Sequence, residues 1–174
     1  DLPVSEQVDI RLVLPFHNAI KKKGYQPKFL GSFPVPRKLE SIKCQVYHFE
    51  KFSIPTYFLD GLPFTNESQV YSINSILDGE KYVFFSLAAL GLSKFLNWQV
   101  DILHTNDWHT ATAIYALNTL DNISSYLSTT RTVHTLHNLP FMGHGTQQAL
   151  EKYRILPTKD KRLPVWARHA PLPL

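Results

Sequence analysis

The stretch Val100–Leu117, VDILHTNDWHTATAIYAL, constrains the fold more than any other part of this chain. Val100–His104 is a short apolar run rich in β-formers, and Thr105, Asn106 and Asp107 make a polar corner. Beyond that corner, Ala111, Ile114, Tyr115 and Leu117 repeat at helical spacing, so the segment reads as strand, tight turn and helix. In an open α/β sheet a ligand crevice lies just past the carboxyl ends of the strands, where helix N-termini aim unpaired N–H groups outward. Asp107, Trp108 and His109 fall at that place. Asp107 is by residue type a good N-cap, its carboxylate accepting amides of the first helical turn.

A second cluster lies downstream. Thr132–Leu136 is a β-branched run that predicts the next parallel strand, and it discharges into His137 and Asn138 and then a glycine-containing loop, LPFMGHG. Two polar clusters on one sheet edge make a candidate site. Between the first strand and these two, Phe85, Ala88, Ala89, Leu92, Phe95 and Leu96 recur at three- and four-residue steps, predicting a long helix from Asp78 whose apolar face lies on the sheet.

Earlier in the chain, Ile10, Leu12 and Leu14 alternate as a strand stopped by Pro15. Ala19–Glu40, with three prolines and two glycines among basic residues, reads as mostly loop. Ile42, Cys44 and Val46 alternate, and Ile54–Leu59 forms a second strand-like run; the two are expected to pair or to be neighbours. Asp60, at the Asp60-Gly61 turn signal, reads as a plain turn residue. Gly61–Leu77 and Asp121–Thr130 read as surface loop and polar linker.

The 174 residues can bury one sizeable core and no more than one domain, and 44% hydrophobic with 18% charged residues is ordinary globular composition. Net charge is +4, but apart from Lys21–Lys23 the cations are scattered. Tracking a nucleic-acid backbone needs a broader basic face with aromatic platforms, so no nucleic-acid partner is expected. Cys44 is the single cysteine, which rules out an intrachain disulfide and a multi-cysteine zinc site. His104, His109, His134 and His137 invite a metal, yet HExxH-type spacing is lacking, and in a regular pleat His134 and His137 face opposite ways. No metal site is expected. Nothing resembles a signal peptide or a bilayer-spanning run, so a cytoplasmic chain without a membrane partner is the default. The chain opens at Asp1 almost directly on a strand and closes abruptly in PLPL, which reads as a fragment at both ends.

The segment DILHTNDWHTATAIYAL resembles the strand and helix around the DWH motif of bacterial glycogen synthases and plant starch synthases. TLHNLPFMG matches the same family's TVHNL-type motif, VDIRLVLPFH resembles its second sheet strand, and FFSLAAL its FFS-x-AAL helix. Lys81-Tyr82 stands where an arginine-aromatic pair is commoner. The resemblance runs from about Gln7 to Leu174. It implies a Rossmann-like α/β fold, a mostly parallel sheet with helices on both faces, as part of the N-terminal domain of a GT-B glycosyltransferase. The C-terminal nucleotide-binding domain and the lysine-glycine-glycine phosphate loop are expected to lie outside this sequence. The implied activity is transfer of glucose from ADP-glucose to the non-reducing end of an α-1,4-glucan with retention, without a cofactor. His109 would be the catalytic residue holding the donor glucose, Asp107 and Trp108 would fix its turn, and His137 and Asn138 would line the neighbouring wall. The truncated chain is expected to be inactive by itself. A non-catalytic glucan-binding or interaction module, or a GT-B enzyme for another sugar, would share these features.

Overall fold

The computed structural model describes residues 8–50, 53–65, 69–159 and 161–171. The chain-end residues 1–7 and 172–174, on which the fragment expectation rests, lie outside the described residues, as do 66–68 of the expected surface loop. In chain order the elements are strand β1 (Leu12–Pro15), helix α1 (Asn18–Lys21), β2 (Lys28–Pro36), β3 (Ser41–Phe49), β4 (Thr56–Asp60), α2 (Leu62–Thr65) and α3 (Ser75–Phe95). They continue with β5 (Ile102–Asn106), α4 (Asp107–Thr119), α5 (Asp121–Ser124), β6 (Arg131–Thr135), α6 (Gln147–Lys152) and a 3-10 turn at Val165–His169.

The expected α/β architecture is present, built on a mixed sheet. One sheet has the order β1-β4-β3-β2, with β1 parallel to β4 and the two following pairs antiparallel. The β3–β4 pairing is the one the alternating runs predicted. β5 and β6 form a second, parallel pair, in register from Ile102 opposite Arg131 to Asn106 opposite Thr135. Three ring contacts show how the sheets lie relative to each other. Before their first residues, the Arg11 guanidinium lies 4.2 Å over the Trp98 ring. Past their last residues, the rings of His17 and His109 both meet Tyr82, at 6.1 and 4.5 Å. β1 and β5 therefore run the same way and open their carboxyl ends on one side.

Both faces of the larger sheet are covered. Phe58 of β4 packs with Phe16, Phe49 and Ile20 on the α1 side, whereas Tyr57 and Leu59 enter the main core with α3. All five β4 residues are buried, and Tyr57, Phe58 and Leu59 between Thr56 and Asp60 bury both faces of the strand rather than alternating. α3 lies on the sheet with Phe85, Ala88 and Leu92 buried, as its spacing predicted, but α4 and α6 cover its other sides. Each fully buried Phe or Leu there contributes about 1.5–3 kcal/mol.

The segment read as loop within Ala19–Glu40 is instead the nine-residue strand β2, paired with β3. Its prolines are tolerated because β2 is an edge strand. Gly31 sits at the irregularity in that pairing with φ +148°, where an added Cβ would come within 3.1 Å of the Phe95 ring. α3 begins three residues before Asp78, capped by the Asn74 side chain, which accepts the Ile76 N–H at 2.9 Å. The two stretches read as surface loop and linker hold α2 and α5, and they bury Phe64 and Leu127.

Candidate active site

All the parallel strands end in chemistry on the same side: β1 is followed by His17, β4 ends on Asp60, β5 runs into Asp107, Trp108 and His109, and β6 into His137 and Asn138. Asp107 does not cap its own helix. Asn106 occupies the cap position without a side-chain cap bond, and Asp107 has φ +52°. That left-handed turn carries the carboxylate across to the exit of β6, where Oδ1 accepts the N–H groups of His137 at 2.7 Å and Asn138 at 3.3 Å. Thr110 closes the α4 start instead, its hydroxyl accepting the Asn106 N–H (2.6 Å) and donating to the Asn106 carbonyl (2.8 Å). Asn106 Oδ1 also meets His137 Nε2 at 3.0 Å. The two clusters expected from sequence are thus one structure, tied through Asp107. Burial opposes ionisation of Asp107, but the two amide bonds and nearby imidazoles outweigh it and hold the carboxyl below its ordinary range.

His109 lies in an aromatic cup. Its ring centroid is 4.3 Å from Trp108, 4.5 Å from Tyr82 edge-on, and 5.5 Å from Tyr71. Its carbonyl accepts the Ser86 hydroxyl at 3.1 Å. Burial lowers the His109 pKa, against the pull of Asp107 and Asp78, so the imidazole is neutral at pH 7. Its Nε2 is buried without a hydrogen-bond partner. An unmet buried imidazole nitrogen is costly, and its cost is recovered when a ligand hydroxyl supplies the bond.

Trp108 is a wall of the site. It is buried, packs edge-on against Tyr82 at 5.2 Å, and receives the loop that follows β6 on its ring. Gly143 in that loop has φ +84°, and a Cβ there would come within 2.6 Å of Trp108 Cε3 and 2.7 Å of Pro171 Cδ. His137 and Asn138 remain exposed. Among the described residues, no group of three or more His, Cys, Asp or Glu is arranged to hold a metal ion.

Several contributors were not legible in the sequence reading. Lys81, 1% exposed, bonds Asp78 at 2.7 Å and donates to the Val70 carbonyl at 2.9 Å. The Tyr82 hydroxyl donates to the same carbonyl at 2.9 Å, and Asp78 Oδ1 accepts the Ser72 N–H at 2.9 Å. The backbone is anchored on both sides of Tyr71, which presents a half-exposed ring beside His109. The signal for this clamp was Asp78 and Lys81 spaced i, i+3 just before the apolar run Tyr82–Phe85. His17, buried against Phe64 and Tyr82, has its pKa lowered to about 4, first by burial and then by the Lys81 charge. Asp60 is more than a turn residue: it is buried, with Lys21 Nζ at 2.6 Å and the Gly61 N–H on its other oxygen.

Comparison with known proteins places these features. Residues 4–167 match the family model described as starch synthase catalytic domain. The chain is 30% identical over 139 residues to glycogen synthase of Photobacterium profundum, covering 78% of this chain and 27% of the relative. It is 32% identical over 152 residues to glycogen synthase of Finegoldia magna, covering 86% and 31%. It also resembles the solved catalytic domain of starch synthase IV from Arabidopsis thaliana, bound to ADP and acarbose, with a TM-score of 0.72 at 21% identity, covering 83% of this chain and 30% of that one. The fold is therefore that of a GT-B glycosyltransferase domain. The chain belongs to the starch synthase catalytic domain family, whose members are hexosyltransferases, and it spans less than a third of the length of the relatives cited.

Proposed function

We propose that this chain is the glucose-handling part of a cytoplasmic glucosyltransferase that moves glucose from ADP-glucose to the non-reducing end of an α-1,4-glucan with retention. The observation that carries the reading is His109: a neutral imidazole with an unmet buried Nε2, in an aromatic cup where parallel strands end. A hexose offers what such a pocket lacks, hydroxyls for the nitrogen and an apolar C–H face for the Tyr71 ring.

In the transfer, the bond from glucose C1 to the ADP oxygen breaks, the bond from C1 to the acceptor hydroxyl oxygen forms, and the acceptor proton leaves with the diphosphate. Charge develops at C1 on the way, so rate comes from orienting both sugars and from dipoles placed beforehand. His109 is the catalytic residue: its Nε2 binds a donor-glucose hydroxyl and, being uncharged, adds no positive charge beside the oxocarbenium-like centre. Asp107 positions both walls, fixing the β5 turn and holding the amides of His137 and Asn138. His137 and Asn138 line the neighbouring wall, and Trp108 packs behind His109.

The ADP moiety would draw its main contacts from polypeptide beyond these residues, so the chain by itself is expected to bind glucan and not to turn over ADP-glucose. Calorimetric titration with maltoheptaose and separately with ADP-glucose tests this, with His109→Ala as control. The expected result is maltoheptaose binding that His109→Ala leaves within about threefold, since His109 holds the donor sugar rather than the acceptor, with no ADP-glucose turnover. Steady-state turnover by the isolated chain would refute the predicted inactivity. A folded chain that binds neither ligand would overturn the assignment of the site.

A further inference from the structure

Far from His109, the other end of α3 borders a cavity of about 800 Å3 that the glucosyl-transfer reading does not use. Lys94 on its rim is twelve residues from Tyr82, about 18 Å along the helix axis. The cavity is walled by β2, α3, the α5 segment and the end of α6, with Phe33, Val35, Leu90, Phe95, Ile123 and Tyr126 giving it an apolar bed. A volume of this size accommodates a small-molecule ligand.

Its charge is one-sided. Arg37, Lys94 and Arg154 line it and no acidic side chain does. Arg37 is already engaged by Glu40 and Glu80 from outside the cavity. Arg154 spends one N–H on the Lys38 carbonyl, and Lys94 is exposed at the cavity's edge. Tyr153, also in the wall, is 3% exposed and its hydroxyl has no hydrogen-bond partner. Burial pushes the Tyr153 pKa up, so this phenol is a donor at any working pH. An apolar bed, the two cations Lys94 and Arg154 at its edge and an unmet donor together describe one kind of ligand.

We propose that this cavity is a second ligand site, for an amphipathic anion with an extended apolar body and a single terminal carboxylate or phosphate. The body lies on the aromatic bed, and the anion is met by Lys94 and Arg154 with the Tyr153 hydroxyl as a further donor.

The test is calorimetric and NMR titration of the 174-residue chain with decanoate, decyl phosphate and, as a charge-reversed probe, decyltrimethylammonium. Saturable binding of either anion, at least tenfold tighter than the cation and with amide shifts in residues 87–95 and 120–127, is expected; the tighter anion identifies the head group. Lys94→Glu with Arg154→Glu, both at exposed positions, should weaken it at least tenfold, and Tyr153→Phe three- to tenfold while the fold is retained. Equal binding of cation and anion, charge reversal without effect, shifts confined to the surroundings of His109, or no saturable binding would each overturn the proposal. Maltoheptaose shifting residues 87–95 would overturn it in favour of a glucan surface site.

Discussion

Replacing Lys81 with methionine tests how the site is held together. The Lys81 side chain is 1% exposed and that of its partner Asp78 is 10% exposed, at 2.7 Å. Methionine fills nearly the same volume, so packing is kept while the cation is lost. Removing one partner of a buried pair costs about 3–5 kcal/mol, because the remaining charge is left uncompensated. The lower end applies here: Asp78 keeps the Ser72 N–H and the Val70 carbonyl keeps the Tyr82 hydroxyl. A loss of about 3 kcal/mol corresponds to about 6–12 °C in Tm for a chain of this size. The double variant Asp78→Asn, Lys81→Met leaves no buried charge and keeps an acceptor for Ser72, so it should return to within about 1 kcal/mol of the parent. Urea denaturation of the three proteins at pH 7 measures both steps. A single variant losing less than about 1 kcal/mol, or a double variant no better than the single, would refute the argument that this pair is a buried clamp.

Other consequences are equally direct. Asp107→Ala removes the acceptor for the His137 and Asn138 amides, so these two should exchange faster with deuterium while Asp107→Asn keeps them protected. Gly143→Ala combines a positive φ of 84° with a Cβ only 2.6 Å from Trp108, and a loss of about 2–4 kcal/mol is expected in thermal unfolding. His17 has a folded pKa of about 4, below its unfolded value of 6.5. The unfolded chain therefore binds the proton first: the stability from neutral His17 is full above pH 6.5 and lost as pH falls towards 4, by about 3 kcal/mol. His17→Phe, which keeps an aromatic against Phe64, should lose that much less between pH 7 and 4; equal losses would show that His17 does not titrate in this window.

What could be read from the sequence was what lies close along the chain. The corner between β5 and α4, the apolar face of α3 and the His-Asn exit of β6 each follow from residues within one or two turns of each other, where periodicity is a direct consequence of geometry. β2 was hidden because proline and glycine signal loops only on average. An edge strand needs no donor on its outer side, and whether a strand is an edge is decided by its partners. The Asp107 cap failed for a similar reason: a carboxylate after a strand has two sets of unpaired amides in reach, and a φ of +52° selects the distant ones at β6.

The histidines show why the site was only half legible. Each of β1, β5 and β6 is followed by one within three residues past its end, and in sequence these look alike. Their surroundings separate them. His17 is enclosed behind Tyr82 and next to the Lys81 charge, which commits it to structure as a neutral ring. His137 is exposed, with its ring on Asn106 and its amide on Asp107. His109 combines a lowered pKa with a buried nitrogen that nothing in the described chain satisfies; His134 does too, but it lies within β6 with its Nδ1 on the Thr105 hydroxyl, whereas His109 lies past its strand's end in the aromatic cup. A satisfied imidazole can be explained by folding alone, whereas an unsatisfied one at the mouth of a sheet costs stability that folding does not return. That asymmetry, together with its place in the cup, supports the proposed role of His109, and the cup depends on Tyr71, Tyr82 and Ser86, which come from α3 and the segment before it rather than from the DWH stretch itself.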